Sequence, residues 1–203
     1  MRSCAPFDQN HCNPQVIEAL GGDPSQTALG NCTANAALGV LMTEPFHQPE
    51  WNYTEDDAVR LYHEETTLDN SQIPGVWPTD DTGSTGGWAM QALVNNGLIH
   101  DWHHTRSLHT ALRLLMVGPV AIGVSWFNNM FTPAGDGTIS VDENSGLAGG
   151  HEIELNSLDV DNQRVGGWNS WGSAWGNQGA FWLSWHDFDL LLHLGGDVVQ
   201  PVI

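Results

Sequence analysis

Hydrophobic positions in the first half of the chain recur at helical spacing. Ala34, Ala37, Leu38, Leu41 and Met42 form one such stripe, starting just after Asn31, a residue suited to cap a helix. A second helix is predicted from Thr54. Glu55, Asp56 and Asp57 fall in its first turn, where the helix dipole favours acids, and Ala58, Leu61 and Tyr62 face inward. A third runs from about Trp88 to Asn96 and stops at Gly97, and Ser107 starts a short fourth carrying Leu108, Leu112 and Leu115. After Gly118-Pro119 the period changes. Val120, Ile122 and Val124 alternate with smaller residues, Ile153 and Leu155 with Glu152 and Glu154, and Phe181, Leu183 and Trp185 alternate again. Helices first and strands afterwards predict an α+β protein with a helical lobe and a β lobe, divided near residues 100–118.

Composition narrows the partners. The 203 residues suit one domain, or two half-size lobes sharing an interface, and ten tryptophans promise a well-filled core. No apolar run approaches membrane-spanning length. The opening MRSCAPFDQNHC lacks a hydrophobic signal region, so a cytosolic product, or one delivered by a non-classical route, is expected. The 24 acids face five arginines and no lysine, for a net charge of -19. That balance argues against nucleic acid and membranes as partners and favours basic or neutral substrates. A solvating acidic surface accounts for the charge just as well. Three cysteines, Cys4, Cys12 and Cys32, cannot all pair, although Cys4 and Cys12 can bridge each other. The two glycosylation-type triplets, at Asn31 and Asn52, read as chance. His100, His103, His104 and His109 match no standard zinc spacing, and residues 159–164 lack the glycine and glutamate of a calcium loop. No metal or cofactor is expected.

Cys32 carries the chemistry. A thiol at a helix N-terminus feels the positive end of the dipole, and an adjacent imidazolium would stabilise the thiolate further. The missing piece is a histidine oriented by a third group. His151, in "GLAGGHEIELN", follows a Gly-Gly turn at the start of a predicted strand. Asn169 lies in "GGWNSWGSAWGNQGAFWLSW", where its amide can accept the histidine N–H and Trp171 can keep water off that bond.

Here the chain resembles the papain-like cysteine peptidases, from about residue 26 to 188. "STGGWAMQALVNNGLI" is similar to the family's Gly-Gly segment, "LLMVGPVAIGV" to the strand entering the β lobe, and "GGHEIEL" and "WNSWGSAWGNQGAFWLSW" to its histidine strand and Asn-Ser-Trp-Gly block. The order Cys, His, Asn agrees too. The resemblance implies one catalytic domain, with a helical lobe at about 26–105, an antiparallel β lobe at about 106–203 and a cleft between them. It implies that Cys32 is the nucleophile, that His151 shuttles the proton and that Asn169 orients His151. Gln26, six residues before Cys32, would supply the oxyanion hole with the Cys32 N–H. Gly86 and Gly87 would pair with the substrate backbone, and Trp171 would shield the triad.

There are departures from the family pattern. Around the nucleophile the family has C-G-[SA]-C-[WY], and this chain has Leu29-Gly30-Asn31-Cys32-Thr33. Ser84 stands where the partner of the lost cysteine is often found, which implies a disulfide-free version. Glu152 replaces a small apolar residue, where it would raise the histidine pKa or point into solvent. The span from Cys32 to His151 is short, and no room for a propeptide is seen before Gln26. Hydrolysis of a peptide or protein substrate through a thioester is expected, with a regulatory or assembly partner to restrain it. The alternative is a papain-like structural or binding module with little turnover, in a larger assembly such as a virion. Acyl transfer or deamidation would use the same thioester chemistry.

Overall fold

The structure, a computed structural model, describes residues 7–203. Four helices come first: α1 (Pro14–Ala19), α2 (Cys32–Leu41), α3 (Glu55–Asp69) and α4 (Gly86–Asn95). Then follow β1 (Asp101–Thr105), α5 (Leu108–Val117), β2 (Val120–Phe127), β3 (Thr138–Ile139), β4 (Leu147–Asp159), β5 (Arg164–Trp168), β6 (Ala180–Ser184), α6 (Trp185–His193) and β7 (Asp197–Val202). The strands form one seven-stranded sheet in the order β1-β7-β2-β4-β5-β6-β3. All its pairings are antiparallel except the short one between β3 and β6.

Local chemistry sets the helix starts. The backbone N–H and side chain of Thr54 both donate to Asp57 Oδ2, at 2.8 and 2.9 Å, fixing the entry to α3. Ser107 Oγ accepts from the Thr110 N–H at the start of α5. Gly97 takes φ +70 after α4, the left-handed step that closes a helix.

Two cores flank the sheet. The first joins α1–α4 and includes Leu38, Leu41, Tyr62, Met90 and Leu93, closed by Ala121 and Val199 from the sheet. The second joins α5 and α6 to the opposite sheet face, through Leu115, Ile122, Ile153, Val165, Leu183 and Phe188. Because side chains alternate along a strand, β2 gives Ala121 to one core and Ile122 to the other. Burying both faces of the central strands hides their polar alternates as well: Glu152 and Glu154 in β4 are buried.

Several elements depart from the sequence reading. Helix α4 begins two residues earlier than predicted. Strand β1, from the half read as helical, pairs with β7 at the sheet edge. Helices α1 and α6 and strands β5 and β7 were not anticipated. The segment before Gln26 is also integral. Phe7, Cys12, Val16 and Ile17 join the first core, and the Gln9 N–H bonds Ser170 O at 2.9 Å on the β side. Cys12 is a buried free thiol, while Cys4 lies outside the described residues. Among the described residues, no helix is long and apolar enough to cross a membrane.

Candidate active site

Cys32 occupies the first position of α2, at the mouth of an unpaired turn of backbone donors. Asn31 holds the N-cap position but not the cap bond. Its Nδ2 donates to Glu55 Oε1 at 2.8 Å instead. Glu55 also accepts from Asn35 Nδ2, the Asp8 N–H and Cys12 Sγ, so one carboxylate ties the N-terminal segment to the start of α2. Asp81 does the same on the other side. It accepts from the Gly30 N–H at 3.0 Å and from Tyr62 Oη at 2.6 Å, and Tyr62 Oη accepts from the Gly83 N–H. Ser84 donates to Asp69 Oδ2 at 2.6 Å. Polar links thus join the loop before Cys32 to residues 81–84, where the resemblance would place a disulfide.

Strand β4 places His151 opposite Val124 of β2. Its Nε2 lies 2.8 Å from Asn169 Oδ1, and the Ser170 N–H donates to the same oxygen at 2.8 Å. A backbone N–H can only donate, so the shared atom is the amide oxygen and His151 Nε2 must carry the proton. Neutral His151 therefore keeps a bare Nδ1, the form a general base requires. Trp171 stacks on the imidazole at 4.6 Å between centroids, and Trp126 meets it edge-on at 4.9 Å. The two indoles cover the ring, and the His151–Asn169 bond is buried.

A cleft of about 600 Å³ brings Cys32, His151 and Trp171 together. Among the described residues, no hydrogen bond joins Cys32 to His151. Burial pushes the Cys32 thiol up to about 12, against the support that the Glu152 and Thr33 backbone N–H groups give a thiolate. Burial also pulls His151 down to about 4, against the opposing hydrogen bond it donates to Asn169. Each group by itself therefore favours its neutral form. The sequence reading expected a depressed thiol.

Three other expectations need correction. Gln26 is exposed, with its N–H on Asp23 O, and does not line the cleft. Gln9 lines it instead, with Nε2 donating to Leu29 O at 3.0 Å and Oε1 accepting from Ser170 Oγ at 2.6 Å. Helix α1 and the loop that follows it lie between Gln9 and Cys32 in the sequence. The second correction concerns Gly86 and Gly87. They belong to the first turn of α4, while Gly83, Ser84 and Thr85 form the cleft wall. Gly83 has φ +72 and open space beside it. Thirdly, Glu152 neither faces solvent nor influences His151. It lies on the other face of β4, 4% exposed, above Gly86.

No family model matches this chain, and no curated protein matches it either. Solved structures do. The fold is that of the papain-like cysteine proteases. Xylellain, a cysteine protease from Xylella fastidiosa, is 18% identical, with a TM-score of 0.57 over 100% of this chain and 84% of that one. The Carica candamarcensis cysteine protease CMS1MS2, solved with E-64, is 12% identical, with a TM-score of 0.62 over 99% and 93%. Digestive procathepsin L 3 of Tenebrio molitor larval midgut is 13% identical, with a TM-score of 0.59 over 100% and 67%. At these identities the likeness is one of fold.

Proposed function

We propose that this chain is a cysteine peptidase. The observation that carries the reading is the Asn169-held His151, its bare Nδ1 available in the cleft that also holds Cys32. The Cys32 proton passes to His151 Nδ1, and the sulfur adds to the peptide carbonyl carbon. The resulting oxyanion is met by the Cys32 N–H and by the second Nε2 hydrogen of Gln9, the first being used on Leu29 O. Collapse breaks the C–N bond, and His151 returns its proton to the departing amine. Water then adds to the thioester, giving its proton to His151, and the acid and the free thiol are released.

Proton transfer from sulfur to nitrogen creates opposite charges that stabilise each other as they form. That mutual attraction must offset the burial of each group. Trp171 and Trp126 exclude competing water from the imidazole, and Asn169 orients the ring without adding a charge.

A second reading, a papain-like module with little turnover, is favoured by one observation: both members of the pair rest in their neutral forms. Labelling with a thiol-directed epoxide, followed by intact mass, separates the two. The peptidase reading expects one rapid adduct at Cys32, absent from Cys32→Ala. Cys12 should stay unmodified, since burial and Glu55 push its thiol up. Labelling of Cys12 as fast as Cys32, with no cleavage of a peptide library, would refute the peptidase reading and leave the module.

A further inference from the structure

Between α2 and the sheet, two buried amides are each only half used. Asn169 gives its Oδ1 twice, to His151 Nε2 and to the Ser170 N–H, both at 2.8 Å. Its Nδ2 has no partner among the described residues. Asn35 lies one turn along α2 from Cys32. Its Nδ2 donates to Glu55 Oε1 at 3.3 Å, and its Oδ1 has no partner among the described residues. Both side chains are sealed in, with Asn35 and Asn169 each 2% exposed. One unmet donor and one unmet acceptor therefore sit where water cannot freely reach them, which is costly for both.

Asn35 and Asn169 line the same small cavity, of about 10 Å³, together with Phe7, Ala36 and Ile153. That volume is close to the smallest space that admits a single water molecule. The acids around it are turned elsewhere. Glu152 places Oε1 against Gly86 and Oε2 against Gly123, and Glu154 Oε1 accepts from Thr43 Oγ1 and Asn156 Nδ2. The two amide atoms are left to face the cavity, one a donor and one an acceptor.

We infer that Asn35 is a positioning residue for His151, holding the Asn169 amide through one buried water that accepts from Asn169 Nδ2 and donates to Asn35 Oδ1. The inference rests on the peptidase reading and adds a residue to its machinery. His151 and Ser170 fix one end of the Asn169 amide, and the water fixes the other, so the amide plane cannot swing and the imidazole stays aligned. Asn35 belongs to the helix that carries Cys32, so the same bridge ties the sulfur's helix to the histidine's support. It also reaches the N-terminal segment. The Glu55 carboxylate that holds Asn35 accepts from the Asp8 N–H at 3.0 Å, beside Gln9.

The test uses the full chain, with Asn35→Leu replacing the amide by an apolar group of similar volume. Nitrogen-15 NMR of His151 reads the tautomer and the solvent exchange of its Nε2 proton, neither of which needs turnover. In the parent chain the Nε2–H form with slow exchange is expected. Asn35→Leu should speed that exchange at least tenfold and slow Cys32 epoxide labelling at least threefold. The same substitution placed on Asn169→Ala should change labelling by less than twofold, because the route from Asn35 to His151 is already cut. A fall in Tm with exchange and labelling unchanged, or equal slowing in both backgrounds, would overturn the inference and leave Asn35 a packing residue. A high-resolution crystal structure of the parent chain gives a check that needs no variant. One ordered water within hydrogen-bond distance of both amide atoms is expected, and a dry cavity would overturn the bridge. Faster exchange in Asn35→Leu of a chain that cleaves no peptide would spare the bridge and sink the peptidase. Peptide cleavage with exchange untouched would do the reverse.

Discussion

Replacing Gln9 tests the site where counting along the chain and folding disagree. In the structure, Gln9 is held at both ends, by Leu29 O at 3.0 Å and Ser170 Oγ at 2.6 Å. Gln9→Ala removes two partly buried hydrogen bonds, each worth about 1 kcal/mol net, so a stability loss of about 2 kcal/mol is expected. For a chain of this size that is a fall in Tm of roughly 4–8 °C. If Gln9 also donates to the oxyanion, kcat/KM per folded molecule should drop a further 100- to 1,000-fold or so, about 3–4 kcal/mol of transition-state stabilisation. The controls separate these effects. Ser170→Ala breaks the hold on Oε1 and leaves the amide N–H, so it should cost about 1 kcal/mol of stability with much less loss of rate. Gln26→Ala, on an exposed loop, should change stability by no more than about 0.5 kcal/mol and leave kcat/KM unaltered. The assays are thermal unfolding and initial rates on a fluorogenic peptide, with active molecules counted by epoxide titration. A Gln26→Ala rate defect equal to that of Gln9→Ala, or a Gln9→Ala whose rate loss vanishes after correction for folded fraction, would refute the reasoning.

Other outcomes follow from the same geometry. Asn169→Ala leaves the buried Ser170 N–H without its acceptor and frees the His151 ring; about 1–3 kcal/mol of stability should go, and Cys32 labelling should slow at least tenfold. Unchanged labelling would mean that His151 needs no orienting. Asp81→Ala removes the acceptor shared by the Gly30 N–H and Tyr62 Oη, so roughly 2 kcal/mol should be lost and protease nicking should appear near residues 81–84; a fully resistant loop would refute that link. Gly167→Ala would drive a Cβ into the Glu154 carbonyl at the register shift between β4 and β5, and should yield no soluble folded protein by circular dichroism. Native Glu65 and Glu152 keep protons that the unfolded chain loses at ordinary carboxylate pKa values, whereas buried His151 opposes this only below about pH 6.5. Above that pH the folded state binds more protons, so Tm should fall as pH rises, and Glu152→Gln should flatten the slope; an unchanged slope would count against a buried, protonated Glu152.

What local chemistry determines was legible in the sequence. The stripes of Ala34–Met42 and Ala58–Tyr62, the acids after Thr54 and the alternation of Val120–Val124 each depend on neighbours a few residues away, and their elements fold where the period places them. The Cys32, His151 and Asn169 types could be picked out because their side chains have definite chemical capacities. What depends on layers meeting was not legible. Glu152 and Glu154 alternate like a solvent face, but α2 and α4 cover that face, so their charges are buried. Strand β1 reads as part of the helical half because its pairing energy comes from β7, at the far end of the chain. That Gln9 and not Gln26 lines the cleft depends on a contact across the fold, the bond from Ser170 Oγ to Gln9 Oε1. Glu152, Gly123 and Asp197 form one row only because three strands from distant parts of the chain align in register. Spacing along a chain governs turns and periods; distance across it is set by which apolar faces bury one another, and the cleft is formed by that second kind of contact.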